Sequence, residues 1–512
     1  MRETSDEPVR IQDQGPRLAT FPGVVDLVFF LMLISVMVGG RYRLLNDPGS
    51  FWHARLGRDV LTTGGVPRAD SLTFTRGGAP WVDQSWLFDV ILARVVDVAG
   101  WSGAVLCSGL LLAGLYSTIA RGLLRDGRRP IVAMVVAVLA AGVGSIHFLV
   151  RPHLLTLVLF WIFLRVCRRQ HERGGWVVGW LPVFSVFWAN VHGGFLAGPV
   201  VVFTAAAGHA IAGPWSRERL REVLKFGAAG VLCIVAALVN PYGFGLYRHV
   251  AGLLVSANVT DLIQEYQPIP FGKADARVVE WVILALIAVP TFARSRISRY
   301  ELSHALIWMH FALSSVRNAP LFALAAAPGL AMLLDGLLSP REEDASRVGI
   351  EATAAWSFWS PLAVLGLGIG LLLGVPYGAF EPSRWPVAAL AEVNRLPLDA
   401  RLFHEQDWGG MIESETRPLR LAFIDDRFEL YGREGILRYL NALEGGPDWD
   451  EIQEREGVGA VWVRPERPLA RRLSRDPQWK ERHRDAVSVL FEKVEAPLSP
   501  GTIAGRLPRN SD

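Results

Sequence analysis

The most informative polar stretch of the chain is Asn46-Asp47-Pro48-Gly49-Ser50-Phe51-Trp52-His53-Ala54-Arg55-Leu56-Gly57. It follows the first long apolar segment, residues 24–40, and so places a carboxylate, an imidazole and a guanidinium where the chain leaves a bilayer. Ionisable groups at that depth are costly, and they mark functional sites by default. The stretch therefore predicts a reaction centre at one membrane face.

The composition agrees with a membrane protein. The 512 residues are 51% hydrophobic and only 20% charged, whereas soluble domains carry about 25% charge. The apolar residues cluster in runs that reach or approach the roughly 20 residues a spanning helix requires. A net charge of +3 gives no indication of a nucleic-acid partner. The three cysteines lie in or beside apolar runs, so they are interpreted as buried thiols rather than a disulfide framework or a metal site.

Hydropathy predicts about eleven membrane-spanning helices. They cover residues 24–40, 86–120, 130–148, 153–166, 177–190, 195–212, 226–240, 279–293, 302–314, 319–338 and 357–378. The second is long or broken, and the fourth and ninth are short enough to be tilted or re-entrant.

Four basic clusters indicate the orientation. They are Arg121, Arg125, Arg128 and Arg129; Arg165, Arg168, Arg169 and Arg173; Arg217, Arg219, Arg221 and Lys225; and Arg294, Arg296 and Arg299. With this span count all four fall on one side, which the positive-inside rule makes cytoplasmic. The N-terminal tail, 1–23, is then cytoplasmic and the first helix is retained, because the tail lacks the features of a signal peptide. The outer loop, 41–85, lies on the opposite side.

The composition changes near residue 381, where charges become dense and no spanning run remains. Segments 419–424, 459–463 and 486–491 predict short strands, and 433–443 and 448–456 predict helices. The predicted fold class is therefore mainly α: a polytopic membrane domain over 24–380, followed by a small extracytoplasmic α/β domain over 381–496. Residues 497–512 are predicted to be a flexible tail.

Carboxylates are the first candidates for chemistry. Asp47 could act as a general base at the outer face, or it could cap the helix that Pro48 begins, and the two roles can coexist. Asp83 and Asp89 meet two indoles at the start of the second span, where Trp is also an ordinary membrane anchor. Asp70 is either catalytic or the cap of a turn.

Basic and polar residues of the predicted outer side form a second group. Its members are His53, Arg55, Arg151, His153, Asn190, His192 and Arg317. Arginine suits an anionic lipid headgroup, because its guanidinium grips phosphate with two hydrogen bonds, although each residue alone is also an ordinary interfacial side chain. The histidines could ligate a metal, but no local spacing supports that. Glu265 lies in the loop after residues 240–243, which could guide a lipid tail or be inert.

Several of these motifs together resemble bacterial multi-pass proteins of the GT-C glycosyltransferase superfamily. The resemblance rests on Asp47-Pro48 with Trp52-His53, Gly64-Gly65-Val66-Pro67-Arg68-Ala69-Asp70, Pro80-Trp81 with Trp86-Leu87, Arg151-Pro152-His153, Trp188-Ala189-Asn190-Val191-His192-Gly193-Gly194-Phe195, Asn240-Pro241-Tyr242-Gly243, Trp408-Gly409-Gly410 and Phe423-Ile424-Asp425-Asp426-Arg427. It implies an enzyme that takes a sugar from a polyprenyl-phosphate carrier and passes it to a glycan, lipid or protein acceptor outside the cytoplasm. The family's acidic residue beside the first helix matches Asp47. Better-known members often have paired acids there, so a second carboxylate would come from Asp70, Asp83 or Asp89.

The leading hypothesis is an inverting glycosyltransferase in the bacterial inner membrane. Asp47 would deprotonate the acceptor, and Arg151, His153 or Arg317 would stabilise the departing polyprenyl phosphate. No cofactor is required; a divalent metal is conceivable, but no motif supports one. A transporter or flippase is one alternative, but it would need polar residues deep within several spans. A non-catalytic scaffold that keeps the GT-C architecture is the other.

Overall fold

The structure is a computed structural model that describes residues 21–255, 261–273, 276–338 and 357–494. Nearly all of the predicted cytoplasmic tail, 1–23, and all of the predicted flexible tail, 497–512, lie outside the described residues.

The first part of the described chain is helical. Its helices are α1 Val24–Ile34, α2 Gly49–Thr63, α3 Trp86–Arg125, α4 Pro130–Gly144, α5 His153–Arg173, α6 Leu181–Val191, α7 Ala197–Ile211, α8 Arg217–Ala236, α9 Phe244–Val255, α10 Arg277–Phe292, α11 Arg299–Ser314, α12 Ala319–Asp335 and α13 Trp359–Leu372. A helix lies at each of the eleven apolar segments predicted from hydropathy. One continuous apolar core joins these helices, because each turns an apolar face toward its neighbours.

Fewer helices than predicted meet the requirements for crossing a membrane. Within the described ranges, four are both long and apolar enough: Trp86–Arg125, Pro130–His147, Gly193–Ile211 and Val316–Asp335. Shorter apolar helices cover Val24–Gly39, Val177–Val191 and Trp359–Leu372. The count of about eleven spans is therefore wrong by these criteria, since apolar runs also occur in helices that are too short or too charged.

The second predicted span, expected to be long or broken, is both: α3 has 40 residues and a break within it. Gly100 has φ 63° and ψ −173° inside the 40-residue span, a conformation that disfavours a residue with a side chain. The chain thus turns within α3, and its first half, from Trp86, packs against α2 near the polar stretch.

Basic clusters meet at one end of the bundle. Asp126 accepts from Arg165 at 2.8 Å and pairs with Arg168 at 3.1 Å, and Arg168 also pairs with Glu301 at 3.2 Å. Arg299 donates to the carbonyl of Ile211 at the end of α7. These contacts join the loops that hydropathy assigned to a single side.

The C-terminal part is a four-stranded sheet with helices. Its elements are α14 Leu390–Arg395, β1 Arg401–His404, α15 Gly409–Glu415, α16 Gly432–Leu443, α17 Asp448–Arg455, β2 Val458–Val463, α18 Pro468–Leu473, β3 Trp479–Arg484 and β4 Val489–Lys493. The strand order is β1-β2-β4-β3, with β1 and β2 parallel and the other pairs antiparallel. This is the predicted small α/β arrangement, with apolar clusters on the sheet.

The strand predictions succeed only in part. Those at 459–463 and 486–491 correspond to β2 and partly to β4, and both predicted helices are found. The predicted strand at 419–424 is wrong: Ala422 forms only an isolated bridge, to Thr73 of the outer loop. That segment satisfies its backbone groups with the outer loop instead of the sheet, since Ala422 donates to Leu72 and accepts from Phe74 at 2.9 and 3.0 Å.

The C-terminal part also packs closely on α2. A Cβ on Gly410 would lie 2.4 Å from the carbonyl oxygen of Pro48, so only glycine permits this approach. The outer loop and the C-terminal part together therefore cover one end of the bundle.

Candidate functional site

A cavity of about 1280 Å³ lies where the bundle, the outer loop and the C-terminal part meet. Its polar lining includes Asp47, His53, Arg151, His153, His192, Glu265, Arg317 and Asp426. Leu157, Val200 and Leu321 belong to an apolar wall. Turns far apart in the sequence, which hydropathy assigned to a common side, thus share one chamber of the size that binds ligands.

Arg151 is the charged centre of this cavity. Its Nε lies 2.8 Å from Asp47 Oδ2, its Nη1 lies 3.6 Å from Glu265 Oε1, and its Nη2 donates to Asp426 Oδ2. Gly49 makes room for it, because a Cβ there would lie 2.2 Å from Arg151 Nη2. One guanidinium thus joins carboxylates from the outer loop, the loop before α10 and the C-terminal part.

The carboxylates around Arg151 differ in acidity. Burial raises the pKa of Asp47 to about 6, although Arg151 opposes this shift. Burial also raises the pKa of Asp426. Burial acts in the same direction on Glu265, but attraction to Arg151 and Arg317 dominates and lowers its pKa to about 2. Asp47 is therefore suited to exchange a proton near neutral pH, whereas Glu265 stays ionised.

Asp47 is also held by the start of α2. Its Oδ2 accepts from the backbone N–H of Ser50 at 3.0 Å, and Ser50 Oγ donates to the carbonyl of Val150 at 2.9 Å. The capping contact predicted for Asp47 exists, with the helix beginning at Gly49. The cap and a position on the cavity wall coexist in this one residue.

Arg317 provides a second cation on the wall. It lies in the turn Val316–Asn318 before α12 and donates to the Tyr266 hydroxyl at 2.7 Å. Tyr266 follows Glu265 in the turn Gln264–Tyr266, which places Glu265 between the two arginines. Two guanidinium groups thus face one chamber, an arrangement suited to an anionic ligand.

Asp89, a buried carboxylate at the start of the second predicted span, is paired with His53. Its Oδ1 lies 2.6 Å from His53 Nδ1, and both side chains are buried. Burial lowers the pKa of His53 well below its usual value, with Arg151 adding to the effect, so the imidazole stays neutral. Asp89 thereby fixes the orientation of a cavity-lining imidazole.

Asp83 lies behind the wall rather than on it. It is 1% exposed, and its Oδ1 accepts from the backbone N–H of Ser85 at 3.1 Å. Burial raises its pKa to about 6. The structure therefore places Asp83 beside the Ser85 turn and the His53–Asp89 pair, out of direct contact with the cavity.

Asp70 belongs to a buried ion cluster. It caps its turn by accepting from the backbone N–H groups of Leu72 and Thr73, each at 3.2 Å. Its Oδ1 also accepts from Arg427 Nη2 at 2.7 Å, and Arg427 pairs with Asp425 in turn. This Asp70–Arg427–Asp425 cluster connects the outer loop to the C-terminal part, so Asp70 has a structural position.

The indoles near the outer loop serve protein contacts. Trp52 Nε1 donates to Asp426, Trp81 Nε1 donates to Glu429 at 3.1 Å, and Arg427 lies 4.7 Å from the centre of the Trp81 ring. Trp81 is buried. The interpretation of Trp81 as a membrane anchor is therefore wrong, because its side chain is enclosed between the outer loop and the C-terminal part.

Some predicted residues point elsewhere. Arg55 donates to Asp59 and to the carbonyl of Glu413 and does not line the cavity. Asn190 donates to two backbone carbonyls and accepts from Trp86 Nε1. Both have partners outside the cavity lining, which is the ordinary structural role considered for them.

The two remaining histidines do reach the cavity. His153 Nε2 contacts the carbonyl of His147, and His192 Nδ1 lies 2.7 Å from Thr156 Oγ1. In the described part of the chain, no group of three or more His, Cys, Asp or Glu residues is arranged to hold a metal ion. Since Asp47 and Asp426 share Arg151, these carboxylates do not fit a metal site as they stand.

Sequence reasoning missed part of the wall. The sequence presents Asp426 only as part of the motif Phe423-Ile424-Asp425-Asp426-Arg427, and it predicts no role at the site for Tyr266, Glu429, Gln84 and Arg68. The signal for Asp426 was its place in Asp425-Asp426-Arg427, a charged run directly after an apolar segment. Such a run is hard to distinguish from a surface turn without knowing its partners.

Comparison with known proteins identifies the fold. No protein-family model and no curated protein matches this chain. The apo crystal structure of the oligosaccharyltransferase from Archaeoglobus fulgidus superposes with a TM-score of 0.51 at 12% identity, over 86% of this chain and 69% of that chain. A structure of this archaeal protein, AglB, with an inhibitory peptide and a dolichol-phosphate gives a TM-score of 0.46 at 12% identity and the same coverage. The similarity to the apo structure supports the GT-C fold that the sequence motifs predicted.

Proposed function

We propose that this chain is a membrane glycosyltransferase that moves a sugar from a polyprenyl-phosphate carrier to an extracytoplasmic acceptor. The observation that carries the proposal is the cavity in which Arg151 and Arg317 face the same chamber as Asp47. Cations can hold the carrier phosphate, and a carboxylate whose pKa is about 6 can take a proton. The GT-C fold raises the expectation for this chemistry, but the proposal rests on the site.

In the proposed reaction Asp47 is the general base. The acceptor hydroxyl gives its proton to the Asp47 carboxylate while its oxygen attacks the anomeric carbon from the side opposite the phosphate. The new bond joins that carbon to the acceptor oxygen, and the old carbon–oxygen bond breaks with its electron pair leaving on the carrier phosphate. Arg151 and Arg317 stabilise the charge that develops on the phosphate. The configuration at the sugar is inverted.

We also propose the orientation of the chain. The basic clusters lie at one end of the bundle, joined through Asp126 and Glu301, whereas the cavity is built from the turns of the other side. Because basic loops stay in the cytoplasm, the cavity and the α/β domain are assigned to the outer face of the inner membrane. The shorter apolar helices would complete the membrane bundle around the four long spans.

The proposal is tested by native mass spectrometry of the purified protein titrated with a polyprenyl phosphate. Arg151→Ala is expected to weaken binding roughly 10- to 100-fold, since a hydrogen bond to a charged group contributes about 1.5–3 kcal/mol. Asp47→Asn is expected to keep binding but to abolish sugar transfer in a subsequent donor screen. Arg55→Ala is the matched control, because Arg55 is a nearby arginine that does not line the cavity.

Two results would count against this assignment. Equal losses of binding in Arg151→Ala and Arg55→Ala would remove the phosphate role of Arg151. No saturable binding in any form would exclude a carrier-dependent transferase and favour the transporter or scaffold alternatives.

A further inference from the structure

The carboxylate of Asp426 occupies a position that suits an anion. Its Oδ2 accepts from Arg151 Nη2 and its Oδ1 from Trp52 Nε1. Both donors line the cavity, as does Asp426 itself. A guanidinium and an indole N–H that converge on two oxygens would bind a phosphate group as readily as a carboxylate.

Asp426 is the carboxylate that hydrogen-bonds Arg151. Asp47 lies at Nε and Glu265 at Nη1, but of the three contacts only the one between Nη2 and Asp426 has hydrogen-bond geometry. A phosphate that accepts from Nη2 and from Trp52 Nε1 would therefore take the position of the Asp426 carboxylate.

Asp426 can be replaced more easily than Asp47. Asp47 is also held by the backbone N–H of Ser50. Among the described residues, the carboxylate of Asp426 accepts from side chains alone. Loss of Asp426 from Arg151 therefore breaks no backbone contact.

We infer that Asp426 marks the subsite of the donor phosphate, between Arg151 Nη2 and Trp52 Nε1, and that the phosphate displaces its carboxylate when the donor binds. This inference rests on the proposed function for the identity of the ligand, a phosphate ester on a lipid carrier. It adds the position of the phosphate and the residue that competes with it.

Displacement needs only a side-chain rotation. The neighbours of Asp426 on both sides, Asp425 and Arg427, are fixed to each other and to Asp70. The backbone of the turn is thus anchored, while the Asp426 side chain borders a cavity with room for it to turn. The C-terminal part can stay docked while the subsite opens, and Asp426 then sets the affinity by competing for Arg151.

The test compares Asp426→Asn and Asp426→Ala with Asp407→Asn. Asp407 is a matched control, because it also lines the cavity from the C-terminal part but pairs with Arg464 at 3.1 Å. The first measurement is polyprenyl-phosphate binding by native mass spectrometry. The second is the rate at which phenylglyoxal modifies Arg151, followed by peptide mapping with and without inorganic phosphate, which requires neither a carrier nor activity.

Both Asp426 variants are expected to bind the carrier about tenfold more tightly than wild type. Phenylglyoxal should modify their Arg151 several-fold faster, whereas Asp407→Asn should change neither carrier binding nor the modification rate. Weaker carrier binding in the Asp426 variants, or an unchanged rate at Arg151, would overturn the inference. A third outcome separates the two proposals: no form binds the carrier, but inorganic phosphate slows the modification of Arg151 in Asp426→Asn. That outcome would support the phosphate subsite and refute the polyprenyl-carrier function.

Discussion

Replacement of Arg427 by Met is the sharpest structural test of how the cavity is covered. The Arg427 side chain is 2% exposed, and its Nη2 pairs with both Asp70 and Asp425. Methionine keeps much of the apolar stem but leaves two buried carboxylates without their cation. Removal of one partner from a buried ion pair costs about 3–5 kcal/mol.

This cost is expected at the contact between the outer loop and the C-terminal part. The contact includes the hydrogen bonds that Phe74 and Ala422 donate across it. Since about 1.4 kcal/mol corresponds to a factor of ten, hydrogen-exchange protection of these two amides should fall by roughly two to four orders of magnitude. Native-state hydrogen exchange with mass spectrometry measures this directly.

Two further variants make the Arg427 result decisive. Arg438→Gln removes an arginine from a more exposed pair, with 27% of Arg438 and 58% of Glu451 accessible, so it should change protection less than about fivefold. Adding Asp70→Asn and Asp425→Asn to Arg427→Met should restore most of the protection, because the two carboxylates that paired with Arg427 are then uncharged. Unchanged protection at Phe74 and Ala422 in Arg427→Met would refute the reasoning.

Three other outcomes follow from the structure. Gly57→Ala should lower the thermal midpoint of the purified protein, because its Cβ would lie 1.9 Å from the carbonyl oxygen of Asp89 and overpacking costs about 1–3 kcal/mol. The control Gly227→Ala should leave the midpoint unchanged, because a Cβ there would meet open space. Equal midpoints for the two variants would contradict the tight packing of α2 on α3. Asp83, whose pKa rises from 3.8 to about 6 on folding, holds its proton more tightly in the native state, so its contribution to stability is full below about pH 4 and is lost as the pH rises to about 6. Thermal midpoints at pH 4 to 7 should therefore diverge in favour of Asp83→Asn, and parallel curves would refute the shift. EDTA should leave carrier binding within twofold of its untreated value, and a larger loss would mean that a cation other than Arg151 and Arg317 holds the phosphate.

Much of the helical part could be predicted because its information is local. A helix lies at each predicted apolar segment, and the second, predicted to be long or broken, has its break at Gly100. The number of spans could not be predicted in this way. An apolar run records that a helix is buried, but burial against other helices and burial in lipid leave similar patterns in the sequence.

The small sheet shows the limits of strand patterns. β1 has only four residues, and β3, Trp479–Arg484, is mostly charged, so neither forms an apolar run. Segment 419–424 does form one, but it pairs with the outer loop through an isolated bridge. Edge strands and isolated bridges depend on tertiary partners that propensity does not record.

The position of a residue in the sequence predicts the arginines of the site but not the residues that pair with them. Arg151 and Arg317 were found because they interrupt apolar runs at turns of the predicted outer side. The association of Arg151 with Asp426 could not be found, since it joins residues 275 positions apart. Arg55 also lies on the predicted outer side, but its guanidinium pairs with Asp59, four residues later on the same helix.

The contact between Trp52 and Asp426 also has a consequence for biogenesis. The two residues are 374 positions apart, so at about 5–20 residues per second the ribosome needs roughly 20–75 s to deliver the second after the first. In the later part of that interval Asp47 and Arg151 have both been made, but Asp426, which pairs with Arg151, has not. The wall of the cavity is therefore completed only when the C-terminal part has been made, and a chain that stops before it would leave Arg151 without its Asp426 partner.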